Sequence, residues 1–406
     1  MRPRLWRLGP TRVYAPCNRH NVQTRPYPRQ LLQKSPLSRV PGYFTDELLP
    51  KYMSSSASTR TAPAVEVGRI VPGARWDYRL HQLLEGGMSQ STVFKAEILP
   101  RKSDARPARW AAIKMAPNNR ASLEALEREY DIYSMHNVAS KSCFRDLYDV
   151  IGGNLNAGAG IEGLVFEWMD CTLANLSPKK YQRNPVIIKA IVDAVLHGLI
   201  ALEMGKLISN PTAYCSLVST LSILLPKWAI WALVRPCNPR QLGTCLQILV
   251  LPDGYRGAAQ PFAMRAPEVY MGLGCIHRSS IWALAATLFC WVRPGVLGAA
   301  NSQIPFSNEA WCIVKLRRLF PNWVVPPIED DVCRCEFELA DALIEESTPR
   351  VLEVSSLEEE LEATPTLPEI KDLLRFMLII DAQLRPTAAE VLRSKEYLAL
   401  EKETQK

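Results

Sequence analysis

The hydrophobic period of this chain changes part-way along it, and that change limits the available folds more than any other feature. From Trp76 to Met115 the apolar residues alternate or run in short blocks. Ser91-Thr92-Val93-Phe94-Lys95-Ala96-Glu97-Ile98 follows a Gly-containing turn, and Trp110-Ala111-Ala112-Ile113-Lys114-Met115 is a brief apolar run. Both read as strands. Between Ser122 and Met135 the period lengthens: Leu123, Leu126, Tyr130 and Tyr133 recur at helical spacing, with Glu124, Glu127, Arg128 and Asp131 on the other faces. Strand character returns at residues 163–169, and helical patterns then occupy 186–204, 281–292, 309–319, 367–380 and 387–394. A strand-rich first third followed by a helical remainder predicts an α+β, two-lobed protein, with a small β-rich N-lobe and a larger helical C-lobe.

A chain of 406 residues can bury a core of that size. Its net charge of +7 is unevenly placed: residues 1–45 hold eight Arg and one Lys with no acid, which leaves the rest slightly acidic. The body is therefore not expected to bind nucleic acid. Residues 1–65 read as a basic, Pro-rich disordered tail or a mitochondrial presequence, with Leu5, Trp6 and Leu8 between the arginines. Either reading makes the protein intracellular, mitochondrial or cytoplasmic. The eleven cysteines form no CxxC pair, so the thiols are expected to be reduced and mostly buried, with no metal site. The apolar run 213–234 contains Pro226 and Lys227, and a central Lys costs about 2.5–3.5 kcal/mol in a bilayer, so no membrane span is expected. Residues 281–292 have the length of a buried core helix. The acidic stretch 329–369 reads as a surface insertion or a solvated helix face.

Several short segments stand in a telling order. Leu84-Glu85-Gly86-Gly87-Met88-Ser89-Gln90-Ser91-Thr92-Val93 holds the glycine turn, Ala112-Ile113-Lys114 ends a strand in a lysine, and Phe166-Glu167-Trp168-Met169 closes the last strand. Met264-Arg265-Ala266-Pro267-Glu268-Val269-Tyr270, Ser280-Ile281-Trp282-Ala283-Leu284 and Met377-Leu378-Ile379-Ile380-Asp381-Ala382-Gln383-Leu384-Arg385-Pro386-Thr387-Ala388 come from the helical part. Taken singly, the first three are a turn, an exposed lysine and a buried strand. Taken together, over about residues 77–400, the six segments resemble the eukaryotic protein kinase family.

The resemblance implies a protein-kinase-like fold, with an N-lobe and hinge over 66–169 and a C-lobe over 170–400. Gly86, with Gly87 beside it, and Val93 would close over ATP, although Met88 and Ser91 fill two slots where the family has glycine. Lys114 would reach the phosphates, held by a helix carboxylate. Glu129 is the best candidate for that carboxylate, because Tyr133 one turn later can pack, whereas Glu127 is followed by Asp131. Main chain near Glu167 and Met169 would hold adenine with Phe166 behind it, and Glu268 would form a buried ion pair with Arg385.

The pattern fails where the chemistry should be. No Asp or Glu occurs between Glu203 and Asp253, where the family has its catalytic and magnesium-binding acids. Gln241-Leu242-Gly243 fills the metal slot with an amide, and Ser280 replaces an acid that supports the catalytic loop. The catalytic residues are thus unknown, and the chain as written is expected to bind ATP weakly or not at all. There is a second explanation in the genetic code: shifted by two bases, the codons of Pro226-Lys227-Trp228-Ala229-Ile230-Trp231-Ala232 permit Lys-Val-Gly-Asp-Leu-Gly, the family's metal-binding turn. Residues 210–247 are then either a frameshift or mis-splice, in which case Mg²⁺ is expected, or an evolved loss. Two functions follow: a Ser/Thr protein kinase acting on a protein substrate, or a pseudokinase scaffold that binds a protein partner without catalysis.

Overall fold

The computed structural model describes residues 66–84, 92–101, 108–116, 120–152, 160–204, 260–299, 302, 308–346 and 354–406. The N-terminal segment 1–65, the turn with Gly86 and Gly87, and the 210–247 stretch lie outside the described residues.

The strand-like third forms one curled antiparallel sheet of six strands: β1 (Ile70–Pro72), β2 (Asp77–Leu84), β3 (Thr92–Leu99), β4 (Trp110–Met115), β5 (Leu147–Gly152) and β6 (Ile161–Glu167), in the order β1-β2-β3-β4-β6-β5. Period-two alternation decides what each face carries. In β3, Phe94, Ala96 and Ile98 point into a small core with Trp76, Tyr78, Leu80 and Ile113, leaving Val93, Lys95 and Glu97 on the other face. Strand β4 is central and buried along almost its whole length, so Lys114 has no route to solvent along the sheet.

Asp149 of β5 pins the first turn to the far edge of the sheet. Its carboxylate accepts hydrogen bonds from the N–H groups of Ala74 (3.1 Å), Arg75 (2.9 Å), Trp76 (3.2 Å) and Val150 (2.9 Å), and from the Tyr78 hydroxyl (2.9 Å). That approach requires a glycine at position 73, where a Cβ would stand 2.5 Å from Asp149 Oδ2.

The helices among the described residues are α1 (Arg120–Ser134), α2 (His136–Ala139), α3 (Pro178–Tyr181), α4 (Pro185–Met204), α5 (Pro267–Tyr270), α6 (His277–Val292), α7 (Asn308–Leu319), α8 (Asp331–Glu346), α9 (Leu357–Ala363), α10 (Pro368–Met377), α11 (Ala388–Arg393) and α12 (Lys395–Glu403). Helix α6 is apolar all round and buried along most of its length, as expected of the centre of a helical core. The larger core runs from Ala112, Leu164 and Phe166 on the sheet, through Leu126 and Tyr133 of α1, to Trp282, Trp311 and Leu373. Helix α4 is long and apolar enough to cross a membrane, but 67% of its window is buried inside the protein, so its apolar surface is already covered.

The acidic stretch holds α8 and α9: most of the acids of α8 face outward, while Phe337, Ala340, Leu343, Leu357 and Leu361 turn into the core. The thiols are less buried than expected. Of the described cysteines, all free, Cys171, Cys275 and Cys312 are buried, Cys143, Cys290 and Cys333 are half-buried, and Cys335 is exposed.

Candidate functional site

Register brings the first site residues together. Val93 pairs with Lys114 across β3 and β4, and Lys114 pairs with Leu164 across β4 and β6, so the three share one face of the sheet. Helix α1 packs on that face and presents Glu129, whose Oε2 accepts from Lys114 Nζ at 2.6 Å. Both residues are 5% exposed. Burial lowers the Lys114 pKa, the Glu129 carboxylate opposes that shift, and Arg145 adds to it. Among the described residues Glu129 Oε1 is buried and has no partner.

Arg145 is a contributor that sequence reading missed. Its guanidinium lies 4.0 Å from the centre of the Phe166 ring, and Phe166 meets Tyr133 with ring centres 4.9 Å apart. A second cation therefore stands near Lys114, stacked behind the fully buried Phe166. The segment Cys143-Phe144-Arg145 has no periodicity that would have singled it out.

Beyond Glu167 the chain leaves the sheet. The Glu167 N–H donates to the Asp146 carbonyl at 2.9 Å, but no hydrogen bond among the described residues engages the main chain of Met169. Beside it, Lys95 Nζ sits between two indoles, 4.5 Å from the Trp110 ring centre and 4.4 Å from that of Trp168. Burial lowers the Lys95 pKa, against the pull of Asp170. Val93, Lys114 and Phe166 thus share one face of the sheet with Glu129 packed against it, Glu167 ends β6 and Met169 follows two residues later, while Gly86 and Gly87 lie outside the described residues.

The second predicted pair sits in the helical part. Arg385 Nη1 donates to Glu268 Oε1 at 2.7 Å and Nη2 to Oε2 at 3.0 Å, with both residues buried. Arg385 also donates to the carbonyls of Ile379 (2.9 Å), Arg278 (3.0 Å) and Ile380 (3.3 Å), and the Ser279 hydroxyl donates to Glu268 at 2.5 Å. Every donor of the guanidinium is satisfied.

Gln260 organises the approach to this pair and was not foreseen. It holds φ +67 although it is not glycine. Its side chain accepts from Ala266 N–H (2.9 Å) and donates to the Ser279 carbonyl (3.1 Å), tying the 260–266 loop to α6. Arg265, stacked over Phe262 and Tyr270, pairs with Glu309 of α7 at 2.6 Å. Ser280 is buried on α6. No group of three or more His, Cys, Asp or Glu among the described residues is placed to hold a metal ion.

The chain matches no protein-family model and no curated protein.

Proposed function

We propose that this chain is a member of the eukaryotic protein kinase family, with the two-lobed fold of that family, and that the sequence as it stands keeps the nucleotide-holding half of the site while lacking the phosphoryl-transfer half. The observation that carries this reading is the buried Lys114–Glu129 pair at 2.6 Å. Removing two charges from water is expensive, and a buried ion pair by itself adds little to stability. A charge pair that is poor value as a structural element makes sense as part of a polyanion site.

The residues present fit a nucleotide in part. Lys114 would hold phosphate oxygens, Glu129 would hold Lys114 in place, and the unengaged main chain of Met169 would hydrogen-bond adenine. ATP would supply the transferable phosphoryl group. The sequence provides no acid between residues 203 and 253 to orient a hydroxyl or to hold Mg²⁺ against its hydration shell. As written, the protein is a pseudokinase, and its expected role is to bind a protein partner.

Titrating ATP into the purified full chain with and without Mg²⁺ tests this. Weak binding that is indifferent to the metal, with no transfer to a protein substrate, is expected. Tight binding that strengthens with Mg²⁺ would refute the pseudokinase reading. The codon pattern across 226–232 favours a second reading, an active Ser/Thr kinase whose frame has been shifted over 210–247. Transcript sequencing separates the two: restored aspartates in that stretch would make the native product the enzyme.

A further inference from the structure

The connection from α7 to α8 has an unusual character for a surface loop. Asn322-Trp323-Val324-Val325-Pro326-Pro327-Ile328 is almost entirely apolar, and Val324 is 88% exposed. It faces the 271–276 loop, where Leu273 is 54% exposed, and the turn 380–383 after α10; together they enclose a cavity of about 510 Å³. Leu384, next to the cavity wall, is 71% exposed. Single exposed apolar residues are ordinary, but two lining one concavity, with Leu384 next to its wall, mark an interaction surface. Among the described residues no hydrogen bond engages the N–H of Val324 or Val325, so this wall also offers peptide donors.

The walls are held rigid from beneath. Glu268 lines the cavity and belongs to the buried pair with Arg385, whose main chain and that of Gln383 are clamped by Arg278. A groove formed before its ligand arrives loses less entropy on binding.

Its charge is one-sided. Asp381 lines it, and Glu329 and Asp330 are exposed at the end of the Val324 wall. Gly272 brings the start of α8 against the 271–276 loop, since a Cβ there would stand 3.3 Å from Asp330 and 3.2 Å from Cys333 Sγ. From Glu329 to Glu346 the chain has eight acids and one base, Arg334, which is paired with Asp331. Two other cations touch its walls and both are engaged: Arg278 donates to main-chain carbonyls, and Arg317, 5.9 Å from the Trp323 ring centre, pairs with Asp341.

We propose that this groove docks an extended segment of a partner protein carrying a bulky apolar side chain flanked by Lys or Arg. The apolar residue enters between Leu273 and Val324, and the basic flanks meet Asp381 and Glu329. Apolar anchors supply most of the affinity in such contacts, and the charges set orientation and partner choice. The site makes no use of nucleotide, so it stands or falls apart from the proposed function.

The test uses the purified full chain and a fluorescein-labelled peptide, Arg-Lys-Leu-Phe-Lys-Arg, followed by anisotropy. Saturable binding is expected, weakened at least about tenfold, roughly 1.4 kcal/mol, by Val324→Asp or Leu273→Asp. Salt of about 1 M, which shortens the screening length to about 3 Å, should also weaken it. Because both side chains are more than half exposed, the variants should keep the wild-type melting temperature. The proposal is overturned by no saturable binding, by unchanged affinity in both variants, or by equal binding of a peptide with Glu in place of every Lys and Arg. Sedimentation supplies a further refutation: a self-associating wild type that Val324→Asp turns into a monomer would mean a second copy covers this face.

Discussion

Arg385→Met tests whether the Glu268–Arg385 pair is what fastens the 260–276 loop to the C-terminal helices. The substitution deletes five hydrogen bonds, two to Glu268 and three to carbonyls. It leaves a buried carboxylate with only the Ser279 hydroxyl as a partner among the described residues. Breaking a buried pair from one side costs about 3–5 kcal/mol, a large part of a total stability of about 5–15 kcal/mol. Glu268→Gln should cost less, about 1.5–3 kcal/mol, because the amide keeps the shape and one acceptor while the guanidinium keeps its carbonyls. Replacing both, as Glu268→Leu with Arg385→Met, should cost clearly less than the sum of the single losses, since neither charge is then stranded. Urea unfolding of the wild type, Glu268→Gln, Glu268→Leu, Arg385→Met and the double variant reads these differences as midpoint shifts at constant slope. A loss below about 1 kcal/mol for Arg385→Met, or strict additivity in the double variant, would refute the argument that burial without a partner dominates at this site.

Asp149→Asn turns one acceptor of a five-donor cluster into a donor facing N–H groups, and thermal unfolding should show a loss of about 1–3 kcal/mol. Thr387→Ala removes the cap of α11, for about 1 kcal/mol in the same assay. The reciprocal bonds from the Thr387 N–H and hydroxyl lower the Glu390 pKa. Its stabilisation is therefore complete above the unfolded glutamate pKa and lost as pH falls through the folded value, and Glu390→Gln should flatten that acid limb. Among the described thiols Cys335 is exposed and should react first with a thiol reagent, whereas burial pushes the Cys312 pKa up to about 11 and should keep it silent until unfolding, as mass spectrometry after alkylation would reveal.

What could be read in the sequence was whatever is local or repeats with a period. The strands around Val93 and Lys114 and the helix bearing Glu129 follow from spacing, and the choice of Glu129 over Glu127 followed from asking which face could also bury Tyr133. Strands β1 and β5 were not read, because IVP is too short for a pattern and LYDVIG interrupts its alternation with an aspartate. That aspartate is the residue that pins the sheet, through partners more than seventy positions away. Gln260 and Arg145 escaped for the same reason: each acts through contacts that only the folded chain creates, and neither residue type announces itself. The acid count of 329–369 hid an amphipathic helix whose apolar stripe, Phe337, Ala340 and Leu343, is spaced for a core.

The two predicted ion pairs, both buried, differ in a way that separates structure from function. Arg385 satisfies all its donors inside the protein, and both oxygens of Glu268 accept from it, so nothing about the pair asks for a ligand. Lys114 and Glu129 stand in the most buried strand and the helix that covers it, yet Glu129 Oε1 lacks a partner and Arg145 adds a second positive charge nearby. A chain selected for stability alone would do as well or better with apolar residues at both 114 and 129. The cost of burying Lys114 and Glu129, which two apolar residues would avoid, is the physical ground on which the proposed polyanion site rests.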